Sequence, residues 1–393
     1  MYKMRKNFIL CVLIILVLIL IFQSQVILSS NQNNDEKTIS FYIFSNIGDD
    51  YIDEKNYKEA IEAFEIVIQE NPEESYAYFQ IGYCKINLNL YEEAIEYFKK
   101  YIELTPNDES AYINLGLCYF YLKNYTESIE YFNKAIELDK DSTKIYFYEH
   151  LGYSYKALEN YSEAIKVYRK YLNKETNNVP VLKNLLDCYS NTSNWLEAID
   201  CTKVILKLEP ENSWVYYKLG LYYYLIEEYV KAISSVNQAI RIKPDYIEAY
   251  GLKSDIYLLL ERYTPAVETC EKALKIEPEN IEFHLKLGHA LIGRKSYHEA
   301  INVMVDAIKI DPDCSEAYEI WGKSCLLLED YLNGKNLLKK SIQLDKNNAN
   351  AHYLLGIYYQ YENEHDLAVN EYKILQEINK DLAKQLFELI FKK

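Results

Sequence analysis

Glycine and proline are scarce in this chain, at 11 and 8 of 393 residues, about 5% together where roughly 12% is ordinary. Loop-rich, all-β and collagen-like folds depend on these breakers, so all three are poor readings. A surplus of positive charge is lacking too. With 43 basic against 59 acidic residues the net charge is −16, and no basic domain offsets it. The counterion release that drives nucleic-acid binding is missing, so no nucleic-acid partner is expected. Signatures of catalysis are equally absent. The six histidines (His150, His284, His289, His298, His352, His365) show no metal spacing, and no CxxC pair or phosphate-binding glycine loop occurs. Tyrosine is what the chain has in abundance. Its 41 copies, with 13 Phe and 3 Trp, make the sequence far too apolar for disorder.

The first thirty residues stand apart. Lys3, Arg5 and Lys6 precede an unbroken apolar run from Phe8 to Phe22, and Gln23 to Gln25 then interrupt before Val26, Ile27 and Leu28. This reads as an export signal, with the N-terminus cytoplasmic and the bulk of the chain on the extracytoplasmic side. Phe8 to Leu28 as a helix spans about 31 Å, enough for a single-pass anchor, while the shorter run to Phe22 suits a cleaved signal peptide and secretion. Both fates stay open. Residues 31–40 read as a polar linker.

From residue 41 the chain repeats itself every 34 residues. Units starting at Phe41, Ser75, Glu109, Ile145, Val179, Ser213, Ile247, Ile281, Ser315 and Ala349 fill residues 41–382, with one slip of two residues near Ser142 to Lys144. The eighth place is Gly in eight copies, from Gly48 to Gly356, with Leu186 and Ser254 in the others. The seventeenth is Tyr in eight, with Trp195 and His365. The twentieth is small throughout, eight times Ala with Ser128 and Gly334, and the thirty-second is Pro in six. Glycine within a helix costs about 1 kcal/mol, so a column of them implies close helix approach. Two helices per unit are expected to cross where the eighth and twentieth places are small, with the seventeenth-place ring filling a neighbouring gap. The proline ends the second helix.

These columns resemble the tetratricopeptide repeat (TPR) family, whose pattern shows in Tyr112, Leu115-Gly116, Tyr119, Phe132 and Ala135. The resemblance implies an all-α solenoid, a right-handed superhelix of about ten helix-turn-helix units whose first helices line a concave groove. That groove usually holds a peptide or protein segment. The tail, residues 383–393, places Leu386, Leu389 and Ile390 on one helical face and reads as a capping helix, with Phe387 and Phe391 off that stripe. Outside the repeats and the leader too little chain remains for a catalytic domain, so neither an enzyme nor a cofactor is expected. Cys84, Cys118 and Cys188 share the tenth place beside the glycine and read as buried free thiols. Asn124, Asn160 and Asn191 begin Asn-x-Ser/Thr triplets.

In the family, places two, five, six, nine, twelve and thirteen of the first helix tend to face the groove. Here the sixth place runs Asn46, Gln80, Asn114, His150 and Asn184, then turns to Lys218, Leu252, Lys286, Ile320 and Leu354. A row of amides offers donors and acceptors to an extended backbone. Around it the groove places add Tyr42, Tyr76, Phe79, Tyr83, Tyr121, Tyr146, Tyr153, Trp214 and Tyr217, residue types that favour binding surfaces. Glu248, Asp255, Glu282 and Glu316 follow as an acidic zone. The expected activity is that of a protein-binding adaptor or scaffold, membrane-tethered or exported. The alternatives are an accessory subunit for envelope polymer assembly or export, docking through its convex face or C-terminal helix, and a carbohydrate-binding module. The carboxylate clamp of TPR co-chaperones is absent: Lys183, Asp187, Trp214, Lys218, Glu248 and Leu252 do not form it.

Overall fold

The structure, a computed structural model, describes residues 33–138 and 144–391. The expected signal or anchor, residues 1–30, lies outside the described residues, and so does most of the slip near Ser142. Among the described residues no helix is long and apolar enough to cross a membrane, and every regular element is a helix, twenty-one in all.

The 34-residue frame sets the helix boundaries. First helices begin at place one in eight repeats, as in Ser75–Asn87 and Glu109–Tyr121, and second helices begin at place seventeen in all ten, from Tyr57–Glu70 to His365–Ile378. Two first helices deviate. Tyr148–Ala157 starts three residues after the expected Ile145, directly behind the slip. Asn33–Asp53 starts ahead of Phe41, so most of the stretch expected as linker is helical. Asp108, Asn178, Asn212, Asn280 and Asn348 cap the first helices that follow them, each accepting a hydrogen bond from a first-turn N–H at 2.9–3.3 Å.

Each turn between paired helices passes through a left-handed residue at place fifteen, from Lys55 to Asn363, with φ of 54–64° and no glycine among the ten. The chain divides into two compact halves, Met1–Thr192 and Ser193–Lys393. Within each half, helices adjacent in sequence pack together and successive first helices touch.

The glycine column has a more specific cause than the one expected. A Cβ at Gly48, Gly82, Gly116 or Gly152 would stand 2.4–2.8 Å from the ring of Phe64, Phe98, Phe132 or Tyr168, so the gap is filled by place twenty-four of the same repeat. Burying such a ring contributes roughly 1.5–3 kcal/mol, more than the ~1 kcal/mol that helical glycine costs. The seventeenth-place ring packs instead toward the thirteenth place of the next repeat: Tyr91 stacks on Tyr121 at 5.0 Å and Tyr331 lies 5.3 Å from Tyr361. Backbone approach between places eight and twenty is seen at Gly322, whose Cβ would meet the Gly334 carbonyl at 3.1 Å. Where Ser254 replaces the glycine, place twenty-four is the small Cys270, which keeps the summed volume.

Place four carries a second lock. The hydroxyls of Tyr78, Tyr112 and Tyr250 donate to the carbonyls of Pro72, Pro106 and Pro244 at 3.0–3.2 Å. In the last repeat His352 fills this place, its Nε2 lying 3.1 Å from the Lys346 carbonyl.

The tail forms the helix Lys380–Phe391 and packs on both helices of the tenth repeat. Ala383, Leu386 and Ile390 are its buried face, and Leu386 occupies the space over Gly356. Leu389, expected on that face, is exposed. The seven described cysteines are free thiols, six buried and Cys314 half-buried. Burial pushes the thiols of Cys84, Cys118, Cys201 and Cys270 up to about 12.

Candidate peptide-binding face

Each candidate groove residue sits on a first helix except Tyr146, which lies in the turn leading into Tyr148–Ala157. In the first half Tyr42, Tyr76, Tyr83, Tyr121, Tyr146 and Tyr153 are all well exposed. They occupy places two, nine and thirteen. Tyr361, at place thirteen of the last repeat, is the seventh well-exposed tyrosine among the described residues, and all seven expose 38–65% of their surface. The tyrosines of the second helices are half-buried or buried.

Two of the expected rings are absorbed by packing. Phe79 is half-buried, edge-on to Phe98 at 5.6 Å and tilted against Tyr101 at 5.2 Å. Tyr217 leans on Tyr246 at 5.3 Å. Trp214 is half-buried, with the Lys218 ammonium 5.7 Å from its ring.

The amide row differs from a free ladder. Asn46 is exposed. Gln80 Nε2 donates to the Tyr76 hydroxyl at 2.6 Å and to Asp49 Oδ1 at 3.3 Å, and the Tyr76 hydroxyl donates to Asp49 at 2.7 Å. Burial, then the hydrogen bond to Asp49, pushes the Tyr76 phenol pKa up. Asn114 donates to the Ser110 carbonyl one turn back at 2.9 Å. Asn184 accepts from Lys156 at 2.8 Å, and Lys156 also pairs with Asp187 at 2.9 Å. Three of the four amides therefore make hydrogen bonds within the wall itself.

His150 is not a rung of that row. Its ring meets Phe120 edge-on at 4.7 Å and lies 6.1 Å from Tyr121, with Tyr153 5.6 Å from Phe120. Burial pulls the imidazole pKa below its ordinary value, against the opposing pull of Glu149 and the Tyr146 carbonyl. A neutral ring buttressing the exposed tyrosines is the result. Phe120, Asp49 and Lys156, at places nine and twelve, were not expected in this face, because their roles come from neighbours in adjacent helices: Phe120 meets His150, Asp49 meets Tyr76, and Lys156 meets Asp187.

The acidic zone of the second half is partly neutralised. Lys286 bridges Asp255 at 2.8 Å and Glu282 at 2.6 Å, and His289 lies 3.1 Å from Glu316, whose carboxyl pKa it holds down. Among the described residues no cluster of His, Cys, Asp or Glu is arranged to hold a metal ion.

Family models described as tetratricopeptide repeat match residues 51–115, 110–142, 145–173, 215–246 and 257–320, together more than half of the chain. The chain belongs to the tetratricopeptide repeat family. No curated protein matches it in sequence. Among solved structures, the TPR protein YrrB, described as having an unusual peptide-binding site, is 24% identical over 49% of this chain and 98% of its own, with a TM-score of 0.44. The Naa15/Naa10 complex bound to HypK-THB includes a chain 12% identical over 89% of this one and 65% of its own, at a TM-score of 0.52. Yeast Tom70 is 14% identical, covering 91% and 95%, at 0.40. At such identities the likeness is one of fold: a TPR array of paired helices.

Proposed function

We propose that this TPR chain is a non-catalytic scaffold that holds an extended protein segment against the tyrosine face of its first half. One observation carries the reading: six of the seven well-exposed tyrosines lie on first helices and the seventh, Tyr146, in the turn that leads into one, all at places that tend to face the groove in this family. A tyrosine surplus set by composition alone would expose phenols on second helices as well. Exposed Tyr rings offer large contact area with few rotatable bonds, and their hydroxyls suit a peptide backbone. The braced amides keep the wall rigid, which lowers the entropy lost on binding.

Capture from native extract with the full chain, beside a Tyr76→Ala, Tyr121→Ala, Tyr153→Ala variant of equal helicity, tests this. Partners specific to the unaltered chain are expected; identical partner sets for the two baits would sink the reading. We further propose that residues 1–30 tether the repeats to a membrane or direct their export. The basic residues and apolar run of the sequence support that reading. Detergent-dependent extraction of the full chain is expected, and complete recovery of an intact chain in the aqueous fraction of its native cells would refute it.

A further inference from the structure

The junction between the last repeat and the capping helix holds a second, chemically distinct surface. On Lys380–Phe391 the exposed residues Lys380, Lys384, Phe387 and Phe391 follow one another at i, i+4, i+7 and i+11, a single stripe along one face. Facing it, Tyr372 of the preceding helix lies 5.6 Å from Phe387 and 6.2 Å from Phe391, and the two Phe rings are 4.8 Å apart. Between the helices lies a cleft of about 340 Å³, lined at its other end by Gln376, Lys380 and Lys384. The surface is therefore aromatic at one end and cationic at the other, the ends being about 16 Å apart along the helix. Among the described residues no carboxylate pairs with either lysine, although acidic residues outnumber basic ones 59 to 43 in the chain.

We propose that this cleft docks an acidic amphipathic helix of a partner protein. Its apolar side chains would seat on Tyr372, Phe387 and Phe391, and its carboxylates, one to two turns along the same face, would meet Lys380 and Lys384. Charge selects this occupant. An anionic bilayer presents a flat surface, whereas these rings and lysines line a cleft between two helices, and Asp381 and Glu388 flank Lys380 and Lys384. A second copy of the same stripe would set lysine near lysine or ring, with no carboxylate of its own to answer the cations.

The test uses the full chain and a short labelled helix with Leu and Phe at one end of a face and two glutamates farther along it, followed by fluorescence anisotropy. Counterparts carry lysine for the glutamates, or serine for Leu and Phe. The acidic apolar helix is expected to bind at least about tenfold more tightly than either counterpart. Lys380→Glu with Lys384→Glu should reverse the preference between the acidic and the lysine helix. Phe387→Ser with Phe391→Ser should abolish binding of all three. Because Ala383, Leu386 and Ile390 stay in place, unchanged helicity is expected of both double variants. The tyrosine-face variant should bind this helix normally, so failure here and failure of the peptide-face reading are separable. Equal affinity for all three helices, or no reversal in the charge variant, overturns the proposal. So does adsorption to phosphatidylserine vesicles, or dimerisation through the Phe pair, without helix binding.

Discussion

Gly116 and Phe132 share one volume, and neither can change without the other. A methyl group at Gly116 would lie 2.5 Å from the buried ring, so Gly116→Ala is expected to cost about 1–3 kcal/mol in urea unfolding. Adding Phe132→Leu should restore part of that loss; strict additivity of the two costs would argue against a shared volume. The glycine column was legible because one residue type recurs. Its partner column was not, because Phe, Tyr, Thr, Val, Cys, Met and Leu all occur at place twenty-four. The left-handed column at place fifteen was invisible for a similar reason. Its occupants are Lys, Glu, Ser and Asn, where sequence rules look for glycine. A left-handed backbone costs an L-residue about 1–2 kcal/mol, part of which glycine returns as unfolded-state entropy. Glu261→Gly should therefore stabilise the fold by roughly 0.5–1 kcal/mol, read as a higher urea midpoint. Among the described thiols, Cys314 alone is not fully buried, so a thiol reagent applied to the native chain is expected to label it well before the other six, as peptide mapping would show.

At the scale of the element, the last repeat is held by two devices that no other repeat combines. Leu386 fills the space over Gly356 that place twenty-four fills elsewhere. Leu386→Ala should cost about 2–5 kcal/mol, with hydrogen exchange quickening in 349–391 and little change in distant repeats, as nearest-neighbour stacking requires. The other device is His352. Both ring nitrogens face acceptors, Glu371 Oε2 at 2.5 Å and the Lys346 carbonyl at 3.1 Å, an arrangement that suits the protonated ring. Burial alone pulls its pKa down, but the hydrogen bond and charge of Glu371 outweigh burial and the net shift is upward. Its contribution is thus complete below the unfolded value near 6.5 and is lost as pH rises through the folded value. Protection of 349–391 is expected to weaken on raising pH from acid to mildly alkaline, and a His352→Gln chain should lack that dependence. His150 and His365 fall in repeat columns of the sequence, but His352 carries no such signal. Nothing in the sequence points it to Glu371, nineteen positions away on the paired helix, and the helical stretch from Asn33 was expected as a linker because its composition is polar.

For the whole molecule, the period of 34 announced paired helices and their boundaries, and the family membership agrees. The candidate face was half legible. Places two, nine and thirteen carry the exposed tyrosines, but Phe79 and Tyr217 went into packing and the amides largely into bracing, since orientation within a helix face depends on neighbours that no single position reveals. Within the first half the exposed phenols are therefore expected to dominate affinity over the amides: removal of Tyr121 and Tyr153 together should weaken a captured segment more than removal of Asn46 and Asn114 together, measured by titration of that segment.

The division at Thr192 and Ser193 has an optical consequence. All three tryptophans, Trp195, Trp214 and Trp321, fall in the second half, while the first half is lit by tyrosine alone. Indole emission excited at the red edge of absorption therefore watches one half of the chain melt, and far-ultraviolet dichroism watches both. The native protein carries its own label for deciding whether its two halves unfold in step.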